Sequence, residues 1–517
     1  LNIFANIKKI KSQTKNMNKM DKKYSDYVIF SITLVVALIT YGFSLINHSL
    51  TIDNEMQIFP DFAMELGRWG QNLVVYHILN GHTPYFTTIL SLILYSVSAL
   101  KIANLFEFEN YSKIIFCLLF ITFPQISYQI VFQIMAVIAG LGILLSVYFT
   151  EIFKNYTLKK DKKNKDHLQL AVAVLILVFT LAMYQAFIIV PVVLYTIIIL
   201  LNTDKNDFVV KTTIKNGLFF VLILIISLGI YFISVKMFCE NIQDNGYLLS
   251  FISSGSNSQE NMFSAFYTIL KENLKGDMYF GEKTYLLCTV GLLLLMTMVI
   301  YERKNIAIKL LMLLGLLLLP FIISLFITNG YHPPRIYLAS NIVFSFILIK
   351  IIEKLNKKYL TATNIIVSCV VLYNVFLVTK LYQSSNKIFE NDKKIAQKID
   401  FLINSKFPEF YKSEKYVYFH GSLPFDFHQN LRVEKSEIFG GSFFNWDNGN
   451  NFRIINFINN VDYNNYKIID QKIIYDKINQ EELSKMPVWP NPESVKVFGD
   501  VTVVKFSDTK GVPLPFE

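Results

Sequence analysis

Charge is what this chain of 517 residues has least of: Asp, Glu, Lys and Arg make up 17% of it, against 53% hydrophobic residues. With a positive mean hydropathy, that balance excludes an ordinary soluble chain, in which about a quarter of residues are charged. Cysteine is scarce too. Cys117, Cys239, Cys288 and Cys369 all fall in or beside apolar runs, which excludes a disulfide framework and a CxxC metal site. No P-loop, Rossmann glycine fingerprint, HExxH or Cys-His cluster occurs, so cytoplasmic nucleotide chemistry has no visible apparatus. The excess of 49 Lys and Arg over 39 Asp and Glu is divided among loops, unlike the single basic face of a nucleic-acid binder.

What the chain does have is apolar runs. A hydrocarbon layer about 30 Å thick takes roughly 20 apolar residues in a helix. Eleven runs of that kind are read at 27–46, 85–103, 114–131, 133–150, 168–183, 186–202, 217–238, 284–301, 307–327, 336–353 and 360–379. The expected fold is a polytopic α-helical membrane protein of about 11 transmembrane helices. Its parts are a basic cytoplasmic N-terminus (1–26), a transmembrane domain (27–379) with outside loops at 47–84 and 240–283, and a small extracytoplasmic α/β domain (380–517).

Lysine sets the orientation, because cytoplasmic loops retain Lys and Arg. Lys8 to Lys23, Lys154 to Lys165, Lys205 to Lys215, Arg303 to Lys309 and Lys350 to Lys358 mark the inside, whereas residues 47–84 hold no Lys and only Arg68. Lys-rich segments flank both ends of 168–202, so that run is expected to be a hairpin with Tyr184 and Gln185 at its tip. The first apolar run is too long for a cleaved signal peptide and no small-x-small site follows it, so it reads as an anchor. Leu1 stands first, and Met17 or Met20 is the expected natural start.

Beyond residue 379 Lys, Asp, Asn and Glu become frequent. Ile388, Ile395, Ile399 and Leu402 keep helical spacing, Tyr416 to His420 reads as a strand, and Val495 to Phe498 and Val501 to Phe506 flank Gly499-Asp500 as a hairpin. In the loop 240–283 a flexible stretch precedes a short amphipathic helix, Met262 to Leu274.

The first outside loop carries the most chemistry. Asp53, Glu55, Asp61, Glu65, Arg68 and Trp69 lie just past the first helix, and Phe62, Leu66, Trp69, Leu73 and Tyr76 pattern residues 60–80 as an amphipathic surface helix with Glu65, Arg68 and Asn72 on its polar face. A carboxylate there can act as general base on a substrate held at the interface; the plainer reading is that outside loops simply carry acids. Pro124, Gln125, Ser127, Tyr128 and Gln129 form the second outside turn. In Asn-Gly-Tyr-His-Pro-Pro-Arg-Ile-Tyr (329–337), Arg335 is a lone cation that either faces a phosphate or snorkels to head groups. Mid-helix charges of the kind a transporter shows are nearly absent.

An acidic pair after the first helix, Gly-Arg-Trp at 67–69, Tyr-Gln at 184–185, the arginine at 335 and a tail running Met-Pro-Val-Trp-Pro-Asn-Pro-Glu-Ser-Val then Gly-Asp-Val-Thr-Val-Val-Lys form a combined pattern. It resembles the GtrII family of bacterial membrane glucosyltransferases that modify O-antigen. The resemblance implies a GT-C type enzyme of the bacterial inner membrane that takes a sugar from an undecaprenyl-phosphate carrier on the periplasmic side and inverts the anomeric carbon. It implies Asp53 and Glu55 as catalytic groups, with either as the base, and Arg68, Trp69, Tyr184, Gln185, Arg335 and Tyr337 as substrate-binding. The partners it implies are the lipid-linked donor, a surface glycan acceptor, membrane lipid, a donor synthase and a donor flippase, with no nucleic acid; a divalent metal stays open as a cofactor. The second reading is a non-catalytic polysaccharide exporter or flippase component, which would need a continuous hydrophilic path through the helices.

Overall fold

The computed structural model describes residues 25–56, 60–81, 83–133, 135–159, 161–239, 262–327, 332–355, 359–407, 416–424, 431–462, 466–467 and 478–509. The lysines of residues 8–23 and residues 240–261, where the sequence leads one to expect a flexible stretch, lie outside the described residues.

Among the described residues nine helices are long and apolar enough to cross a membrane: Ser25–Ile46, Pro84–Leu105, Ala136–Leu158, Asn164–Met183, Gln185–Asn202, Val210–Phe238, Glu282–Glu302, Ile306–Phe326 and Leu360–Lys406. A tenth candidate bends by 46° between Asn110–Thr122 and Pro124–Ile130, where Pro124 has no N–H to continue the helical ladder. The one remaining run of the eleven expected, 336–353, folds as Ser340–Lys354. At 15 residues it is about 22 Å long, short of a full span. Pro333 and Pro334 hold the chain before it in extended and then 3₁₀ conformation, which delays its start.

Ion pairs show which helix ends share a side. Glu107, just past Pro84–Leu105, receives Lys154 at 2.7 Å and Lys205 at 3.2 Å. The chain therefore leaves this end at Asn164 and has returned by Lys205, so 164–202 is the hairpin the lysines predicted. Its helix breaks at Tyr184, which is extended. At the same end Lys113 meets Asp26 at 3.1 Å, Lys309 meets Asp204 at 2.7 Å and Glu302 at 3.3 Å, and Lys354 meets Glu302. The lysine-rich segments that the structure describes thus gather at one end of the helix array. Outward, Val210–Phe238 leaves Leu218, Leu222, Ile225, Phe232 and Ile233 exposed, a continuous apolar face suited to hydrocarbon and costly in water.

Composition changes at residue 380 but the helix does not stop there. Leu360–Lys406 is one helix of 47 residues, about 70 Å long, because neither Gly nor Pro interrupts it. Its upper half turns Ile388, Ile395, Ile399 and Ile403 inward, the spacing of a single buried stripe. Onto it folds the C-terminal segment, whose sheet has strands β1 (Tyr416–His420), β2 (Val495–Phe498) and β3 (Val501–Lys505) in the order β1-β3-β2. β2 and β3 form the expected antiparallel hairpin, and β1 pairs with β3 in parallel. One cluster of buried apolar side chains runs from Tyr95 and Phe116 among the helices through Tyr382 to Phe439 and Phe457 in the C-terminal segment. Phe439 is the link, edge-on to Tyr382 at 5.0 Å and to Tyr128 at 5.3 Å.

Candidate functional site

The loop after the first helix is fixed from below. Asn54 Nδ2 donates to the Val131 carbonyl at 3.0 Å and to Thr51 Oγ1, and Thr51 Oγ1 donates to the same carbonyl at 3.3 Å. With its neighbours pinned, Asp53 adopts a left-handed φ of 73°, a conformation Asp tolerates better than most residues.

A helix from the C-terminal segment closes over this loop. Asn451 opens the helix Asn451–Asp462 and bonds both backbone groups of Phe419 in β1, accepting from its N–H at 2.7 Å and donating to its carbonyl at 2.8 Å. Arg453, two residues on, reaches Asp53 Oδ1 at 3.0 Å, Glu55 Oε1 and Asp447 Oδ2. Asp447 is brought there by a tight run of left-handed residues, Asp447, Asn448 and Gly449. Only glycine fits at 449, since a Cβ would stand 2.3 Å from the Gly421 carbonyl oxygen.

Burial sorts the four groups. The side chain of Glu55 has 0% of its surface exposed and that of Arg453 8%, whereas Asp53 keeps 33% and Asp447 34%. Burial pushes the Glu55 carboxyl up to about 7; Arg453 opposes that rise and Asp53 adds to it. Burial disfavours the charge on Arg453, yet the three carboxylates outweigh it and raise its affinity for the proton. Glu55 Oε2 is buried without a hydrogen-bond partner, an expensive state for a carboxylate oxygen. The arrangement is a carboxylate with water access beside a buried acid that titrates near neutrality, both held by one guanidinium.

The other expected residues form further groups. The amphipathic helix expected at 60–80 is broken: Pro60–Glu65 ends at Gly67, whose φ is +70°, and helix resumes at Trp69. The break lets Arg68 turn toward the hairpin tip. Its Nε donates to Gln185 Oε1 at 3.3 Å and its guanidinium lies 4.7 Å from the centre of the Tyr184 ring. Gln185 Nε2 in turn donates to the Leu66 carbonyl and to Tyr231 Oη, each at 2.8 Å. Trp69 packs on Phe179 and Phe238 and donates to Ser234 Oγ at 3.0 Å. Asn72, expected on the polar surface, is buried.

Arg335 lies 5.2 Å from the centre of the Phe132 ring and 3.6 Å from Glu437, while Gln125 and Gln129 donate to the carbonyls of Pro334 and Arg335. The turn at 124–129 is thus the seat of the Arg335 segment. Tyr337 is fully buried against Phe321 and its hydroxyl accepts from Ser324 at 3.2 Å, so it supports the site from the core.

Arg453 and Asp447 escaped the sequence reading, although a signal existed. The chain has five arginines, Arg68, Arg303, Arg335, Arg432 and Arg453, and uses lysine for every other basic position. Where lysine supplies ordinary charge, an arginine marks a need for planar, multidentate geometry. Among the described residues no group of three or more His, Cys, Asp or Glu side chains could hold a metal ion; around Asp53, Glu55 and Asp447 the Arg453 guanidinium already stands as the shared cation.

A family model described as Glucosyl transferase GtrII matches residues 42–349. That stretch includes every expected site residue from Asp53 to Tyr337 and ends before Arg453. No curated protein and no solved structure matches.

Proposed function

The chain belongs to the GtrII glucosyltransferase family, and we propose that it moves a glucosyl residue from an undecaprenyl-phosphate donor to a surface polysaccharide such as O-antigen. In this reading the chain sits in a bacterial inner membrane and crosses it eleven times. Its lysine-rich end faces the cytoplasm, residues 380–517 face the periplasm, and transfer takes place on the periplasmic side. Family membership favours transfer over export. The observation that carries the mechanism is the pairing of Asp53 and Glu55 on Arg453.

The acceptor needs a base and the departing phosphate a cation. Asp53 is the base, because a sugar hydroxyl can approach within about 3 Å only of a carboxylate that solvent can reach, and Glu55 is closed off. As the hydroxyl oxygen bonds to the anomeric carbon, its proton passes to Asp53 and the bond to the phosphate oxygen breaks on the opposite face, which inverts the centre. Arg453 fixes the direction of the Asp53 carboxylate, and Glu55 holds Arg453. Arg335 serves the leaving phosphate: it packs on Phe132, the residue after the one whose carbonyl anchors Asn54. Arg68, Trp69, Tyr184 and Gln185 gather on the inward side of Val210–Phe238, where Gln185 meets Tyr231 and Trp69 meets Ser234, and receive the lipid-linked donor from the membrane.

The test is transfer from a polyprenyl-phosphate glucose donor by purified full-length protein, with folding checked by thermal unfolding. Asp53→Asn loses roughly 10²- to 10⁴-fold in rate, and Glu55→Gln loses less. Near-normal rates in both variants would remove this loop from the mechanism.

A further inference from the structure

A cleft of about 710 Å³ opens between the Gly276–Lys283 turn, the long helix Leu360–Lys406 and residues 431–435. One wall is a single stripe of the long helix. Tyr373, Leu377, Lys380, Ser384 and Lys387 all line the cleft, and spacings of three and four residues put them on one face. From Tyr373 to Lys387 the stripe climbs about 21 Å and changes character from apolar to cationic. Tyr373 lies within the apolar run 360–379, beside the exposed Leu372 and Phe376, at the level of hydrocarbon.

The upper part of the cleft is basic. Lys283, Arg432 and Lys435 join Lys380 and Lys387, against the carboxylates of Asp277 and Glu434. Asp277 is already engaged: it pairs with Lys283 at 3.0 Å, and its carbonyl accepts from Lys435 Nζ. Lys380 Nζ lies 5.5 Å from the centre of the Phe280 ring. Lys380 and Lys387 are exposed at the cleft and, among the described residues, no carboxylate pairs with either. Residues 431–441 then lead away from the cleft toward the Asp53 loop, where Gly441 packs on Ile52.

We propose that this cleft binds the phosphate head of a long-chain amphiphile, with Lys380, Lys387 and Arg432 around the phosphate and the apolar chain leaving past Leu377 and Tyr373. A soluble anion would use the cations but leave the apolar foot idle; a neutral lipid would do the reverse. An anionic head joined to a hydrocarbon chain matches both ends of the stripe, and an arginine beside two lysines favours phosphate, whose oxygens accept paired guanidinium bonds. The proposal rests on the long helix spanning a membrane, and it is independent of the role given to Asp53.

The test is equilibrium binding of farnesyl monophosphate in a neutral detergent to full-length protein carrying Arg335→Gln, which removes the cation given to the donor phosphate, with farnesol and inorganic phosphate as the paired comparisons. The phosphate lipid binds more tightly than farnesol, and the difference shrinks as salt rises. Removal of each lysine charge costs about fivefold in affinity, so Lys380→Gln and Lys387→Gln together weaken binding about 25-fold. Both side chains are exposed, and unchanged thermal unfolding of the double variant confirms its fold. Equal affinity for farnesol, or no change in the double variant, overturns the proposal. Displacement by inorganic phosphate at the same concentration as the lipid assigns the cleft to free phosphate and overturns its lipid half. Binding is read without sugar transfer, so a failure here leaves the carboxylate mechanism standing, and an inactive Asp53→Asn protein still binds the probe.

Discussion

At the lysine-rich end, Glu107 keeps 57% of its side-chain surface exposed while it receives Lys154 and Lys205. At the opposite end, Glu55 has no exposed surface and receives Arg453. Both are carboxylates in ion pairs, yet water sets their worth differently. Around Glu107 solvent screens the charges, and pairs of that kind contribute about 0–1 kcal/mol. Around Glu55 the loss of hydration is severe and is offset only while the guanidinium stays in place. A fold gains little stability from the second arrangement that apolar packing could not supply more cheaply. Its presence beside a solvent-accessible carboxylate is the observation on which the proposed mechanism rests.

Breaking the buried network is the largest perturbation on that comparison. Arg453→Met leaves Glu55 without its counter-charge and is expected to destabilise the protein by about 3–5 kcal/mol, read as a lower midpoint of chemical denaturation in detergent. Adding Glu55→Gln to Arg453→Met restores part of the loss, because the stranded charge is gone. Additive losses would mean that the two residues do not interact.

A pH series sharpens the comparison. The Glu55 carboxyl is raised from the 4.5 of the free group to about 7 in the folded protein, so the native state binds its proton more tightly than the unfolded one. The stabilising effect of that proton is complete below about 4.5 and is lost as pH rises through about 7. Other groups titrate as well, so the quantity to measure is the difference in unfolding temperature between wild type and Glu55→Gln from pH 4.5 to 8. Wild type declines relative to the variant across that interval; parallel curves would show an ordinary Glu55.

The smallest effect belongs to the exposed end. Glu107→Gln removes a carboxylate that serves two lysines, yet it is expected to shift stability by no more than about 1 kcal/mol. The shift shrinks further in high salt. A loss as large as that of Arg453→Met would erase the distinction between the two ends.

Much of this architecture is legible in the chain because the signals are local. The hairpin at 164–202 follows from lysines flanking an apolar run, and β2 and β3 follow from alternating residues around Gly499-Asp500. The break at Gly67 was hidden because apolar residues keep helical spacing across it, and period alone cannot show a left-handed residue. The change in composition at residue 380 suggested a domain boundary, whereas the backbone continues as one helix to Lys406. Side-chain polarity governs what surrounds a helix; only Gly, Pro or a competing cap ends it.

Asp53 and Glu55 could be picked out from their place after the first helix, since two acids beside a span are conspicuous in a chain so poor in charge. Their partner could not. Arg453 lies 398 residues from Glu55 in the chain, and it reaches that loop only because Asn451 ties its helix to β1 while Phe439 fastens the C-terminal segment to the helix array. The apolar runs, the lysine bias and the hairpin turn are properties of neighbouring residues, and the sequence by itself determined them. Which carboxylate is buried and which meets water depends on surfaces that close over the loop from distant parts of the chain, so tertiary structure alone decided it.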